Sequence, residues 1–393
     1  MSLALITTQE EFEGMLDRIE GCRALAIDTE FMRDNTYYPK LCLLQLATDD
    51  EEIIVDPLQV QSIKPFARIL TDPRTVKIFH AGTQDREILY NYCKVATAPV
   101  FDTQVAAPLL GLPQHAGYGS VVSAFCGVKL KKSDTLTDWT LRPLSNSQIE
   151  YSLEDVRYLI PLYDTMTKKL ERAGRLHWLD EDFEKIQDPK QYEKSDSELW
   201  HKVKKASSLP KSQLVHARSL AIWRENIARK RDIPRKWVLP DELLVEICKR
   251  EPETVDDLYK IRGTHEKLNR TMAEDVVRLI QTGKKSDPST WPSTDNPHHG
   301  SPGGEAVVDV MMAIVRMRAK ENRVAPQVLA VHDDLMALAS GKRSGIDLLS
   351  GWRYEMVGRE LVDFLDGKEC VCIADGKLKV AKSCQNAACE RGS

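Results

Sequence analysis

Long apolar runs and cysteines in CxxC spacing are both absent from this sequence, and each absence argues against a class of protein. No apolar stretch approaches the roughly 20 residues of a membrane-spanning helix. The first residues lack the charged start and apolar core of a signal peptide. The nine cysteines show none of the CxxC spacing of paired zinc ligands. We therefore expect a cytoplasmic protein that contacts no membrane, and we see no segment for an obligate protein partner.

The cysteines fall into two groups. Five lie singly in apolar stretches and are expected to be buried free thiols of a cytosolic protein. These five are Cys22, Cys42, Cys93, Cys126 and Cys248. The other four cluster near the C-terminus, where an ordinary tail is favoured over a structural zinc site because their spacing is unpaired. They are Cys370, Cys372, Cys384 and Cys389.

Charge is distributed unevenly along the chain, although the formal net charge is only -4. Residues 1–185 carry 28 acidic against 20 basic side chains, whereas residues 200–285 carry 20 basic against 12 acidic ones. An acidic region can hold cations and a basic region can hold phosphates. The alternative is that these charges only solvate helix surfaces. Hydrophobic residues make up 42% of the chain, enough for sizeable cores.

The N-terminal half has the pattern of an α/β domain with a mixed sheet. Three apolar, β-prone runs at residues 22–32, 41–47 and 52–55 predict a strand meander. A further strand at 76–80 precedes a turn and a helix over 85–93. Strands followed by strand–helix alternation predict one α/β domain over residues 1–185.

The C-terminal half predicts two small helical domains, at 205–285 and 305–370, with a linker at 286–304 and a tail at 371–393. The linker is rich in Pro, Gly, Ser and Asp. Residues 223–247 and 315–339 resemble each other, because each has a charged helix, a break with proline, and an apolar helix that begins with acids. This internal repeat supports a pair of related domains.

Asp28 and Glu30 stand two residues apart at the end of an apolar run. In a strand their side chains point to the same face. Two neighbouring carboxylates at the edge of a core are costly unless a cation or hydrogen bonds offset their repulsion. The alternative is that one of them merely caps a turn.

Three more residues strengthen the interpretation as a site. Asp85 opens a helix directly after a strand, although the helix dipole alone favours an acid there. Tyr151 and Asp155 lie four residues apart on one helix face, where a phenol and a carboxylate can position a water. Each residue taken singly has a structural explanation. A set of acids at the ends of separate elements favours a catalytic site.

Three segments carry a resemblance to a known family. They resemble the exonuclease motifs of the ribonuclease D family, whose sites hold four acidic residues and a tyrosine, the last motif having the YxxxD form. The segments between them, FDTQVAAPLLG and SDTLTDWTLRPLSNSQ, are also similar to that family. The motifs are IDTEFMRDNTYYPKLCLLQLA, FHAGTQDREIL and YSLEDVRYL.

The resemblance implies a ribonuclease H-like mixed-sheet 3′→5′ exonuclease domain followed by two HRDC-type (helicase-and-RNase-D C-terminal) helical domains, the second of them divergent. It implies hydrolysis of RNA from the 3′ end to nucleoside 5′-monophosphates, with precursor tRNA 3′ ends among the substrates. It also implies two cations, for which an all-carboxylate site favours Mg²⁺ or Mn²⁺. Carried over residue by residue, the metal ligands are Asp28, Glu30, Asp85 and Asp155, and Tyr151 orients the attacking water.

Candidate RNA contacts are basic or aromatic residues near these motifs and in the basic region. Phe31 is equally compatible with core packing, and for Trp223 and Trp237 core packing is favoured over base stacking. The candidates are Phe31, Arg33, Lys40, Arg229, Lys230, Arg231, Arg235 and Lys236.

Two other functions compete with the exoribonuclease. A 3′→5′ DNA exonuclease uses the same motif chemistry, because discrimination at the 2′-OH depends on pocket shape. A non-catalytic nucleic-acid-binding scaffold would keep the helical domains, but a decayed site would lose its acids first, and all of them are present.

Overall fold

The computed structural model describes residues 2–130, 137–192, 196–292 and 304–383. Its six N-terminal strands are β1 (Ser2–Ile6), β2 (Ala24–Met32), β3 (Lys40–Ala47), β4 (Glu51–Val55), β5 (Val76–Phe79) and β6 (Val100–Asp102). They form one mixed sheet in the order β1-β4-β3-β2-β5-β6. The pairs β4-β3 and β3-β2 are antiparallel and the others are parallel. The predicted meander and mixed sheet are confirmed, and β1 and β6 join its two edges.

Helices follow the strands and then fill the C-terminal half. In the N-terminal domain they are α1 (Gln9–Ile19), α2 (Ala67–Leu70), α3 (Thr83–Cys93), α4 (Thr103–Ala106), α5 (Tyr118–Cys126), α6 (Asn146–Arg157), α7 (Leu159–Arg172) and α8 (Asp180–Gln187). The next group is α9 (Lys211–Arg231), α10 (Arg235–Val238), α11 (Asp241–Arg250), α12 (Val255–Tyr259), α13 (Thr264–Lys267) and α14 (Arg270–Lys284). The last is α15 (Gly304–Asn322), α16 (Pro326–Leu329), α17 (His332–Ala339), α18 (Gly351–Arg353) and α19 (Arg359–Leu365). No described helix is both long and apolar enough to cross a membrane.

Strand β2 separates two hydrophobic cores by simple alternation. Leu25 and Ile27 belong to the core on one face of the sheet, together with residues of α1 and α3. Ala24 and Ala26 belong to the core on the other face, together with residues of α5 and α7. Continuing this alternation puts the next even-numbered residues on the alanine face, the face covered by α6 and α7.

The two helical groups repeat one pattern of a long helix, a four-residue helix and a further helix, as the internal repeat predicts. Each long helix ends on a residue with positive φ, 48° at Asp232 and 53° at Arg323. In each case the next amide donates back five residues, from Ile233 to Ala228 O and from Val324 to Ala319 O. The same capping geometry therefore ends both long helices.

The boundaries of the helical domains differ in detail from the sequence prediction. A 3₁₀ helix at Asp196–Lys202 supplies Leu199, Trp200 and nearby Val203 to the core of the first group. The predicted domains end at residue 185 and begin again at residue 205, so this stretch falls between them, because its few apolar residues are outnumbered by polar and charged ones.

Part of the predicted tail is also ordered. Strands β7 (Glu369–Ala374) and β8 (Lys377–Lys382) form an antiparallel hairpin around Asp375-Gly376. Both turn residues have positive φ, as an Asp-Gly hairpin turn requires. Cys384 and Cys389 of the zinc alternative, residues 293–303 of the linker and the first residues of SDTLTDWTLRPLSNSQ lie outside the described residues.

Candidate active site

Three carboxylates converge on the alanine face of the sheet. Asp28 and Glu30 extend from β2, and Asp155 faces them from α6, with one oxygen of each lying within 4.8 Å of the others. Helix α6 begins with a capping box in which Ser145 accepts from the amide of Gln148, and the Gln148 side chain accepts from the Ser145 amide. Its packing on β2, β3 and β4 then holds Asp155 over the strand. The structure thus brings together three of the four predicted acids.

Burial, with repulsion from neighbouring acids, raises the pKa values of these carboxyls. Burial is the main cause for Asp28, whose pKa lies well above its usual range, and repulsion from Asp85 and Asp155 adds to it. Burial and the same two acids raise the pKa of Glu30 to about 8. Burial also raises the pKa of Asp155 to about 7, against a hydrogen bond from Tyr151 that lowers it. A divalent cation bound by these oxygens would offset both the burial and the repulsion.

Asp85 stands beside this group rather than within it. It is 8% exposed and accepts a hydrogen bond from the Thr29 hydroxyl, and burial raises its pKa. The turn before α3 is fixed by Asp102, whose carboxylate accepts from the amides of Ala81 and Gly82 at 3.0 Å. A Cβ on Gly82 would lie 2.5 Å from Phe79 Cβ, so this turn requires glycine.

Tyr151 lies one helical turn before Asp155 and donates to it. Its ring centroid is 6.0 Å from that of Trp139, and burial raises the pKa of its phenol. The phenol therefore stays protonated and can donate a hydrogen bond beside the carboxylates.

Two ion pairs that contain buried carboxylates hold these elements together, and neither pair was among the predicted site residues. Arg142 donates to both carboxylate oxygens of Asp56, at 2.6 and 2.8 Å, and to Cys42 O at 2.8 Å. It ties the segment before α6 to β3 and the end of β4. Arg86 pairs with Asp102 at 3.3 Å, and both are almost fully buried. The segment SDTLTDWTLRPLSNSQ pointed to the region of Arg142, but the partner of each arginine is set by the fold.

The predicted RNA contacts lie in four kinds of environment. Phe31 packs against the core that contains Leu25 and Ile27. Four other candidates are exposed: Lys40, Lys230, Arg231 and Lys236. Arg33 lies 3.8 Å from Glu87. Arg229 and Arg235 instead contact Glu225 and Tyr37 within the chain.

The two tryptophans of the basic region differ. Trp223 packs against the first helical core. Trp237 is 45% exposed, so its predicted core packing is wrong. It lies on the four-residue helix α10, which is too short to bury every side.

A mixed sheet whose central strand carries a half-buried carboxylate cluster, with no ion-pair partner among the described residues, suits a 3′-5′ exonuclease, and comparisons with known proteins agree. A family model described as 3′-5′ exonuclease matches residues 3–171, and an HRDC domain model matches residues 213–280. Ribonuclease D of Sphingobium indicum is 38% identical over 387 residues, covering 96% of this chain and 98% of the relative. Ribonuclease D of Bartonella henselae is 34% identical over 379 residues, covering 96% and 93%.

A solved structure extends the likeness to the full arrangement. Escherichia coli RNase D, described as an exoribonuclease involved in structured RNA processing, matches with a TM-score of 0.80 and 27% identity, covering 93% of this chain and 99% of that one. The chain belongs to the ribonuclease D family of 3′→5′ exoribonucleases.

Proposed function

We propose that this chain hydrolyses RNA from the 3′ end with the help of two divalent cations, Mg²⁺ or Mn²⁺, and releases nucleoside 5′-monophosphates. One observation carries the proposal: three carboxylate oxygens lie within 4.8 Å of one another in carboxyls whose pKa values are raised by burial and mutual repulsion. Oxygen ligands without histidine or cysteine suit these hard cations.

The roles follow from the positions of the side chains. Two bound cations would neutralise charge at phosphorus and lower the pKa of water. Asp28 would contribute to holding both cations, Glu30 and Asp155 would complete the set that activates the attacking water, and Asp85 would help to hold the second cation. Tyr151 would orient the water, because its protonated phenol lies beside Asp155.

The proposed substrates are precursor tRNA 3′ ends and other structured RNAs in the cytoplasm. The description of the E. coli relative as an exoribonuclease in structured RNA processing supports this substrate class. The basic surplus of residues 200–285 supports a polyanionic partner.

Digestion of end-labelled RNAs and matched DNAs, with Mg²⁺, Mn²⁺ or EDTA, tests the proposal. We expect stepwise shortening of 5′-labelled RNA, dependent on the cation, with 5′-mononucleotides as products. Faster hydrolysis of DNA than of RNA would favour the DNA exonuclease. Metal-dependent hydrolysis of neither would favour the binding scaffold.

A further inference from the structure

A cavity of about 660 Å³ opens where the N-terminal domain meets the first helical group, and we name it the junction cavity. The N-terminal domain lines it with the loop that follows β2 and with Glu87 and Asn91 of α3, and the helical group lines it from α9 and α10. Among the described residues that line it, one, Glu87, is acidic and five are Arg or Lys. They are Arg33, Lys202, Arg229, Arg235 and Lys236.

The junction cavity and the acidic cluster are joined by two short stretches of chain. Arg33 is three residues beyond Glu30, which is at most roughly 10 Å even along a fully extended chain. Asn91 is six residues beyond Asp85 on α3, about 9 Å along a helix. A strand whose 3′ end lies at the carboxylates would therefore be within reach of these cavity residues a short distance upstream of its terminal nucleotide.

The basic side chains differ in how far they are already neutralised. Arg235 donates to both oxygens of Glu225 through Nε and Nη2, and its Nη1 has no hydrogen-bond partner within the described part of the chain. A guanidinium held on one edge by a buried carboxylate is pre-organised to bind phosphate with its other edge. Lys236 is exposed and makes no ion pair with any described residue. Among the described residues, Arg33 has one ion-pair contact, with Glu87 at 3.8 Å.

The loop on the catalytic side is fixed by the helical group. The Asp232 carboxylate accepts from the amides of Tyr37 and Tyr38, each at 3.0 Å. The Tyr37 hydroxyl donates to Glu225, which is 1% exposed, and accepts from Arg229 Nε at 3.1 Å. The position of Arg33 thus depends on residues of the other domain.

We propose that the junction cavity binds the phosphodiester backbone of single-stranded RNA immediately 5′ of the terminal nucleotide, and that the two domains form it jointly. This inference rests on the proposed function and adds where the outgoing strand is held. The volume lies within the roughly 300–1,000 Å³ of pockets that enclose a small-molecule ligand, so the cavity holds a short single-stranded segment. The exposed Tyr38 offers an aromatic face among the cations, the combination that single-strand sites use.

Binding of a labelled single-stranded RNA octamer to the full chain in EDTA, at several salt concentrations, tests the cavity without needing catalysis. Each phosphate contact on a single strand contributes about 0.7 to the slope of log K against log salt. We expect the double variant Arg33→Ala/Lys236→Ala to lower that slope by about 1.4 and to weaken binding. The control Lys249→Ala removes an exposed lysine of the same basic region that does not line the cavity, and should leave the slope unchanged.

Asp232→Gly tests whether the two domains form the site jointly. Glycine tolerates the φ of 48° but cannot accept from the loop amides. Removal of a negative charge would by itself strengthen RNA binding, whereas release of the loop weakens it. We expect weaker binding of the octamer and a slope lowered by about 0.7, the contribution of Arg33.

The outcomes separate this inference from the proposed function. If the unaltered chain hydrolyses RNA but the double variant keeps the slope of the control, the junction cavity is not the strand site. Tighter binding by Asp232→Gly would overturn the joint site. If the unaltered chain hydrolyses no RNA, the proposed function falls, and the binding slopes still decide the cavity.

Discussion

The pKa values of carboxyl groups removed from water are shifted in opposite directions in two regions of this molecule. In the acidic cluster, Asp28 and Glu30 have raised pKa values because burial and neighbouring acids are not offset. In the first helical group, burial also raises the pKa of Glu225, but hydrogen bonds from Arg235 and Tyr37 outweigh it, and the net pKa lies below the usual range. The same type of side chain is thus unstable as an anion in one place and stable as an anion in the other.

The difference separates a binding site from an architectural contact. Glu225 has its counter-charges within the chain and connects two domains. Among the described residues the acidic cluster has no basic ion-pair partner, so its charge is available to cations that come from solution. A charge that is removed from water without a counter-charge lowers the free energy of unfolding. Such a group is therefore a candidate for binding a ligand of opposite charge.

Asp28→Asn should have the largest effect on activity. It removes the central carboxylate, and several kcal/mol of transition-state stabilisation depend on the cations, so turnover should fall by at least about 10³-fold. Free energies of unfolding measured in EDTA should rise, because one repelling charge is gone. The exposed acid Asp50, changed to Asn, is the control. Near-normal turnover in Asp28→Asn would contradict the cation site.

Tyr151→Phe should reduce turnover by about 10²- to 10⁴-fold, the usual contribution of a group that positions the nucleophile. Dissociation constants for RNA should change little, because the ring remains. Tyr163→Phe is a matched control, since that ring packs against Phe101 away from the acidic cluster. An equal loss of affinity and turnover would make Tyr151 a packing or binding residue.

Arg235→Met should destabilise the fold by up to about 3–5 kcal/mol, because the buried Glu225 carboxylate loses its main counter-charge and keeps only the Tyr37 hydroxyl and the more distant Arg229 among the described residues. Glu225→Gln should cost less, because Arg235, whose side chain is 41% exposed, can turn to water. Urea unfolding of the two variants measures this asymmetry. Equal losses of stability in the two variants would mean that the Glu225 carboxylate does not depend on Arg235 for its counter-charge. The contrast between a neutralised Glu225 and the unneutralised acidic cluster would then be wrong.

The smallest expected effect is on the pH dependence of the free energy of unfolding, measured without metal, through the titration of Glu30. The folded pKa of Glu30, about 8 against an ordinary 4.5, means that the folded state holds this proton more tightly than the unfolded one. That contribution to stability is complete below about pH 4.5 and is lost as the pH rises through about 8. Unfolding free energies in EDTA should therefore fall less steeply with pH for Glu30→Gln than for the unaltered chain. Added Mg²⁺ should reverse the loss, and identical pH slopes would refute the linkage.

Local spacing predicted most of the acidic cluster. The i and i+2 positions of Asp28 and Glu30 and the helical spacing of Tyr151 and Asp155 depend only on the repeat of a strand or helix. The resemblance of the motifs then assigned their roles, which remain a proposal. The internal repeat likewise predicted the paired helical groups.

Long-range partners could not be predicted in this way. Arg229 and Arg235 were candidate phosphate ligands because they stand in a basic run. The structure pairs them with Glu225, and with Tyr37 across 192 and 198 residues of chain. No local period encodes a contact at that separation. For Trp237, the predicted core packing is wrong because the ring lies on the four-residue helix α10 and is 45% exposed.

The contact between Tyr37 and Asp232 has a consequence for the growing chain. The two residues are 195 apart in sequence, which corresponds to roughly 10–40 seconds of synthesis at about 5–20 residues per second. Asp155 emerges well before Asp232. A nascent chain beside ribosomal RNA therefore completes its set of acids some time before the proposed junction cavity can hold an RNA strand against them.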